Sequence, residues 1–126
     1  MTITQQTSSQ PDFREQAKVK DVPVARLIGF EAEKIGEGRA AVVLTVGPQH
    51  ANPMGTLHVG ILCGIADAAM GMAFASTLGP DESFTTVELK INFLRPIWQV
   101  QLRAEGVVVQ RGWTIGYVEV VRVQSS

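Results

Sequence analysis

Apolar and polar residues alternate along TTVELKINFLRP, with Val87, Leu89, Ile91 and Phe93 on one side and Thr86, Glu88, Lys90 and Asn92 on the other. A period of two is that of a strand with one buried face, here Thr85 to Leu94, closed by Pro96. Gln99 to Gln110 and Thr114 to Val123 read as two further strands joined at Arg111-Gly112, and Phe30 to Ile35 and Arg39 to Val46 as a pair joined at Glu37-Gly38. Between these groups the alternation stops. GTLHVGILCGIADAAMGMAFAS, Gly55 to Ser76, is apolar nearly all round, which predicts a helix covered on most sides, with Gly79-Pro80 as its stop. Val22 to Ile28 fits a short helical turn before Gly29, and GPQHANPM, Gly47 to Met54, is a loop of turn formers.

The order β-β-α-β-β-β, linked by hairpins without parallel crossovers, is α+β: one long central helix wrapped by a curved antiparallel sheet. Gly60, Gly64, Ala68, Gly71 and Ala75 recur at helical spacing and give a smooth stripe, which tight packing on the sheet would explain. The polar start, MTITQQTSSQPDF, lacks a basic and an apolar region of the signal-peptide kind, so residues 1–12 are expected to be a flexible tail and 13–126 one domain.

Composition narrows the possibilities without deciding among them. At 45% hydrophobic and 18% charged residues the chain is an ordinary soluble domain. A net charge of -1 without a basic run gives no footprint for nucleic acid or a membrane surface. Leu57 to Leu78 is long enough for a membrane span, but His58, a central Asp67 and many small residues argue against one. Cys63, the only cysteine, excludes an internal disulfide and fits a reducing cytoplasm.

Asp67 is the only formal charge in the 22 residues from Gly55 to Ser76. A buried carboxylate is costly unless it is held or used. It is either a structural acid, at the open end of the helix cover or capping a neighbouring backbone N–H, or a general base or nucleophile in a water-poor site. The polar residues His50, Asn52, Thr56 and His58 cluster just before the helix, whose first N–H groups lack intrahelical acceptors and sit at the positive end of its dipole. The N–H groups of Val59 and Gly60, with Asn52 as a side-chain donor, would suit an oxyanion. His58 lies nine residues before Asp67, roughly 13 Å along a helix. One helix therefore cannot bring its own acid to its own mouth, and a single site would need a second, antiparallel copy across a two-fold axis. Cys63 has no histidine placed to activate it, and the spacing of His50, His58 and Asp67 matches no usual metal site. The chain has no G-x-S-x-G elbow, P-loop or G-x-G-x-x-G fingerprint.

HANPMGTLHVGILCGIAD followed by TVELKINFLRP resembles the hotdog-fold acyl-CoA thioesterases, of the phenylacetate-degradation type with the 4-hydroxybenzoyl-CoA thioesterases nearby. The likeness runs from about Val24 to Val123 and rests on H-x-N-x-x-G-x-x-H-G-G followed by an acid on the helix. It implies hydrolysis of an aryl- or fatty-acyl-CoA, with coenzyme A as part of the substrate, no separate cofactor and no metal, in a homodimer or a dimer of dimers. By position Asp67 matches the catalytic carboxylate, Asn52 a residue oriented at the thioester, and His58 a supporting histidine at the helix start. Val59 falls where the family has glycine; its N–H would meet the oxyanion, with Gly60 beside it, while its side chain crowds the thioester. Thr86 matches a Ser/Thr that places the attacking water, although strand parity puts Thr85 on the apolar face, so Thr86 needs a bulge or an outer-face site. Arg111, Gly112, Trp113 and Thr114 match a turn that meets the nucleotide half of coenzyme A in some relatives, and equally fit an ordinary hairpin turn. Family members continue past Gln124-Ser125-Ser126 with one more strand, lying between the preceding hairpin and the strand matching Thr85 to Leu94. Its absence leaves a gap for a shifted strand, the N-terminal tail or a partner chain to fill, unless the protein is a compromised remnant. The same fold also serves acyl-thioester hydratases or dehydratases, for which His58 and Asp67 would be the acid–base pair, and a non-catalytic acyl-CoA-binding module remains a third reading.

Overall fold

A computed structural model describes residues 1–7, 22–91, 96–98 and 100–125. In chain order the elements are β1 (Thr2–Thr7), α1 (Pro23–Ile28), β2 (Phe30–Gly36), β3 (Arg39–Thr45), a 3-10 turn (Pro48–His50), α2 (Val59–Ala75), β4 (Glu82–Glu88), β5 (Gln101–Arg111) and β6 (Ile115–Ser125). The six strands form one antiparallel sheet in the order β2-β3-β5-β6-β1-β4.

The elements follow from local chemistry. Glu37 and Gly38 both take positive φ, 54° and 75°, the twist a two-residue hairpin turn needs between β2 and β3. Gly29, at φ +96°, ends α1 in the left-handed conformation, and its N–H bonds the Ala25 carbonyl at 2.7 Å. Register shifts in the β2–β3 and β5–β6 ladders mark bulges, which bend a sheet. α2 lies in the concave face so formed, with Ile65, Ala66, Ala69, Met70, Ala73 and Phe74 buried. Val42, Leu44, Leu102 and Ala104 pack with the N-terminal half of that face, and Ile3, Ala40 and Val118 with the C-terminal half.

Four expectations are corrected. The N-terminal segment is not a loose tail over residues 2–7: these form β1, inserted between β6 and β4 with ladders on both sides. Ile3 is fully buried, and Met1 and Val118 exchange two backbone bonds of 2.7 and 2.9 Å. The sheet gap is thus filled from within the chain; residues 8–12 lie outside those described. Second, α2 stops at Ala75, before Gly79-Pro80, because Ser76 and Thr77 turn their hydroxyls back onto the Ala73 and Phe74 carbonyls at 2.7 Å each. Third, the strand placed at Thr85 to Leu94 begins three residues earlier, and its described part is Glu82–Glu88; residues 92–95 lie outside those described. Fourth, β5 begins at Gln101 and β6 at Ile115, so the turn is centred one residue or so later than Arg111-Gly112. Among the described residues no helix is long and apolar enough to cross a membrane.

Candidate active site

The loop before α2 is built around Asn52. Its Oδ1 accepts the N–H groups of Met54 (2.9 Å) and Thr56 (3.2 Å), and its Nδ2 donates to the Thr56 hydroxyl at 2.7 Å. Asparagine suits this because its short amide can satisfy the backbone of a turn two residues on. One hydrogen of the amide is left for a ligand. His58 is the N-cap of α2: its Nδ1 accepts the Gly60 N–H at 2.9 Å. The sequence expectation that both first-turn N–H groups face an oxyanion is therefore corrected, since Gly60 is engaged by His58. Val59, the first helical residue, has no intrahelical acceptor for its N–H, and its side chain is half exposed.

Asp67 sits two turns further along α2, half buried. The Thr86 hydroxyl on β4 donates to its Oδ1 at 3.1 Å. Parity alone put Thr85 rather than Thr86 on that face. The difference is a register shift: Ile3 pairs with Thr86 and Thr2 with Glu88, leaving Val87 as an extra residue. The bulge lets Thr85 and Thr86 both border the site and turns Val87 outward, where it is 61% exposed. Met1 Sδ lies 3.5 Å from the same hydroxyl; with one proton to give, Thr86 favours the stronger carboxylate acceptor.

Asp67, Thr85 and Thr86 open onto a cavity of about 560 Å³ whose other walls are apolar. Its floor is formed by Gly64, Ala68 and Gly71, which border open space rather than the sheet, with the fully buried Ala75 at the end of the stripe. Val22, Val24 and Ile28 form one wall and Phe84 another. Sequence reasoning did not single out these wall residues; their signal, an apolar cluster just before Gly29 and one aromatic opposite the stripe, is legible only once the helix orientation is known.

Asn52, His58 and Val59 are not brought to Asp67 within one chain: Val59 precedes it by eight residues of helix, about 12 Å. Arg111 lies near the far end of α2, where Nε donates to the Thr77 hydroxyl at 3.1 Å, Nη2 reaches Glu82 at 3.4 Å and the guanidinium covers the Phe74 ring at 5.2 Å. Gly112 donates to the Ile115 carbonyl at 3.0 Å to close the turn with Thr114, and Trp113 at its tip is 95% exposed.

The thioesterase superfamily profile matches residues 54–124. A candidate esterase of Saccharolobus solfataricus is 31% identical over 97 residues, covering 77% of this chain and 69% of that protein. One from Pseudomonas aeruginosa is 32% identical over 85 residues, covering 67% and 59%. Among solved structures, the PaaI protein of the E. coli phenylacetic acid degradation operon superposes with a TM-score of 0.73 at 25% identity, over 90% of this chain and 80% of that one. A Haemophilus influenzae thioesterase reaches a TM-score of 0.75 at 16% identity, over 95% and 83%, a likeness of fold alone. The curled sheet around one long helix is the hotdog fold.

Proposed function

The chain belongs to the thioesterase superfamily and is a thioester hydrolase of the hotdog fold, and we propose that its substrate is an aryl- or fatty-acyl-CoA, hydrolysed at a site shared by two copies of the chain. The position of Asp67 carries this reading: a carboxylate on the floor of an apolar cavity, with one oxygen holding the Thr86 hydroxyl and the other left for water. Asp67 takes a proton from that water as its oxygen attacks the thioester carbonyl. The oxyanion is met by the N–H of Val59 of the partner subunit, at the positive end of its helix, with Asn52 of the partner subunit as a second donor. Collapse breaks the C–S bond, and the proton on Asp67 passes to the departing coenzyme A thiolate.

Two copies are required because eight residues of rigid helix separate Val59 from Asp67. β4 supports the pairing: it is the last strand of the sheet, and an edge with an exposed Val87 is a surface that needs a partner. The Arg111–Thr114 turn, with its outward Trp113, is our candidate for the nucleotide half of coenzyme A. A hydratase, with His58 and Asp67 as the acid–base pair, has less behind it, since the matching profile is that of the thioesterases.

Thiol release from a panel of aryl- and fatty-acyl-CoAs, read with a thiol-detecting dye, tests the reading; turnover of at least one member is expected. Binding across the panel without turnover would leave a non-catalytic acyl-CoA module. Mixing Asp67→Asn with Asn52→Ala chains then tests the shared site. A mixed dimer has one site with both changes and one with neither, so up to half the normal activity returns. No return despite demonstrated subunit exchange would put the whole site in one chain.

A further inference from the structure

His50 is the one buried polar or charged side chain among the described residues, 3% exposed, and the chemistry above makes no use of it. Both ring nitrogens are committed. The Gly47 N–H donates to Nδ1 at 2.9 Å, so Nδ1 is bare and the hydrogen of the neutral ring sits on Nε2, which donates to the Ile28 carbonyl at 2.6 Å. The His50 carbonyl accepts the His58 N–H at 2.9 Å, continuing the chain of bonds to the N-cap of α2. One residue thus joins the end of α1, the start of the Asn52 loop and the mouth of α2.

α1 is a small element: Ala25 enters the core, and Val22 and Ile28 pack against its edge. It is six residues long, has no side-chain cap and buries only Ala25, whereas Val24 is 51% and Leu27 83% exposed. A helix that short has no stability of its own. Yet Ile28 and its neighbours wall the cavity, and a Cβ on Gly64 would touch Ile28 Cδ1 at 3.8 Å. The His50 bond fixes the end of that wall in addition to its core packing.

We propose that His50 is a positioning residue for acyl selectivity, its neutral imidazole clasping Ile28 to Gly47 and so setting the width of the cavity beside Asp67. The proposal rests on the functional reading above, with the apolar cavity beside Asp67 as the natural place for the acyl group. Two partial variants separate the two bonds. His50→Asn puts an amide oxygen near the place of Nδ1 and keeps the Gly47 acceptor, but is too short for Ile28. His50→Gln reaches Ile28 with its amide N–H. Hydrogen exchange is read at the Arg26 and Gly29 amides, which bond the Val22 and Ala25 carbonyls at 3.0 and 2.7 Å. It is expected to quicken at least tenfold in His50→Asn and to stay near native in His50→Gln. Over a series of acyl-CoAs, His50→Asn raises KM about tenfold more for the bulkiest acyl group than for acetyl, and His50→Gln restores the native ratio. Unchanged exchange in His50→Asn overturns the clasp whatever the enzyme does. Altered exchange with an equal KM change at every acyl size overturns the selectivity role. Should the native protein hydrolyse no acyl-CoA, the functional reading and the selectivity role fall together, while the exchange result still decides the clasp.

Discussion

On one side of α2, Ala69 and Ala73 are fully buried, and Gly106 of β5 comes so close that a Cβ built there would stand 2.5 Å from the Ala69 carbonyl oxygen. On the other side, Gly64, Ala68 and Gly71 face a cavity of about 560 Å³, and a Cβ on Gly71 would meet only the edge of the Phe84 ring at 3.4 Å. Both faces are lined by small residues, for opposite reasons. Toward the sheet, smallness lets backbone pack on backbone, and the gain is buried area and dispersion contact. Toward the cavity, smallness keeps volume vacant beside Asp67. On the proposed function, stability and chemistry fall on opposite sides of one helix.

Asp67→Asn breaks the chemical side alone. The exchange is nearly isosteric and the Thr86 hydroxyl keeps an amide oxygen to bond, so circular dichroism and the melting curve stay native. Turnover falls at least a hundredfold, about 3 kcal/mol of barrier. Retained activity in the pure variant would remove Asp67 from the mechanism, and a variant that fails to fold would make its role structural.

Gly106→Ala breaks the packed side alone. The added methyl group meets backbone atoms of Ala69 and Met70, which cannot rotate away, so the cost belongs at the upper end of overpacking, about 3 kcal/mol. A drop in Tm of roughly 10 °C or more is expected by differential scanning calorimetry. A native melting curve would mean that β5 can draw back from α2.

Gly71→Ala makes the same substitution on the open side. Helix propensity gains up to about 1 kcal/mol, and the ring edge has to give by a few tenths of an ångström, so denaturant unfolding should move by less than about 1 kcal/mol. The effect appears instead as a several-fold lower kcat/KM for the bulkier acyl groups of the panel. Equal destabilisation by Gly71→Ala and Gly106→Ala would erase the distinction between the faces.

Val59→Gly is the gentlest change. It keeps the N–H and removes a half-exposed side chain, at a cost below about 1 kcal/mol in the first helical turn. Turnover of bulky aryl thioesters is preserved or raised; a large loss with the fold intact would show that the valine side chain is needed.

What the sequence makes legible follows the same division. The hairpins at Glu37-Gly38 and beyond Arg111, the α1 turn before Gly29 and the existence of α2 all follow from periodicity and turn chemistry. Which way α2 faces does not, because a helix apolar all round has no polar side to mark solvent, and the small-residue stripe reads equally well against a sheet or a void. β1 was illegible for a different reason. TITQQT has a single apolar anchor, Ile3, and its place depends on backbone bonds to strands on either side, which leave no trace in side-chain alternation. Of the candidate site, Asp67 stands out as the lone charge in its segment, whereas its bond to Thr86 depends on the bulge at Val87, where the period of two breaks. His50 shows as a loop histidine and the first position of the H-x-N pattern, but its two partners are backbone groups that leave no mark in the sequence.

β1 has a further consequence, in time rather than in space. Its partners are Glu82–Glu88 and Ile115–Tyr117, some 80 and 110 positions away, so it closes the longest loops in the molecule. Contacts of such separation form late, because the chain entropy they cost is recovered only once the rest of the sheet stands. Until then β4 and β6 present two bare, parallel-running edges to any other strand nearby, the usual opening for misassembly. In pulse-labelled refolding the Ile3 amide should be among the last to gain protection, and the interval before it does is the span in which this protein is most exposed to aggregation.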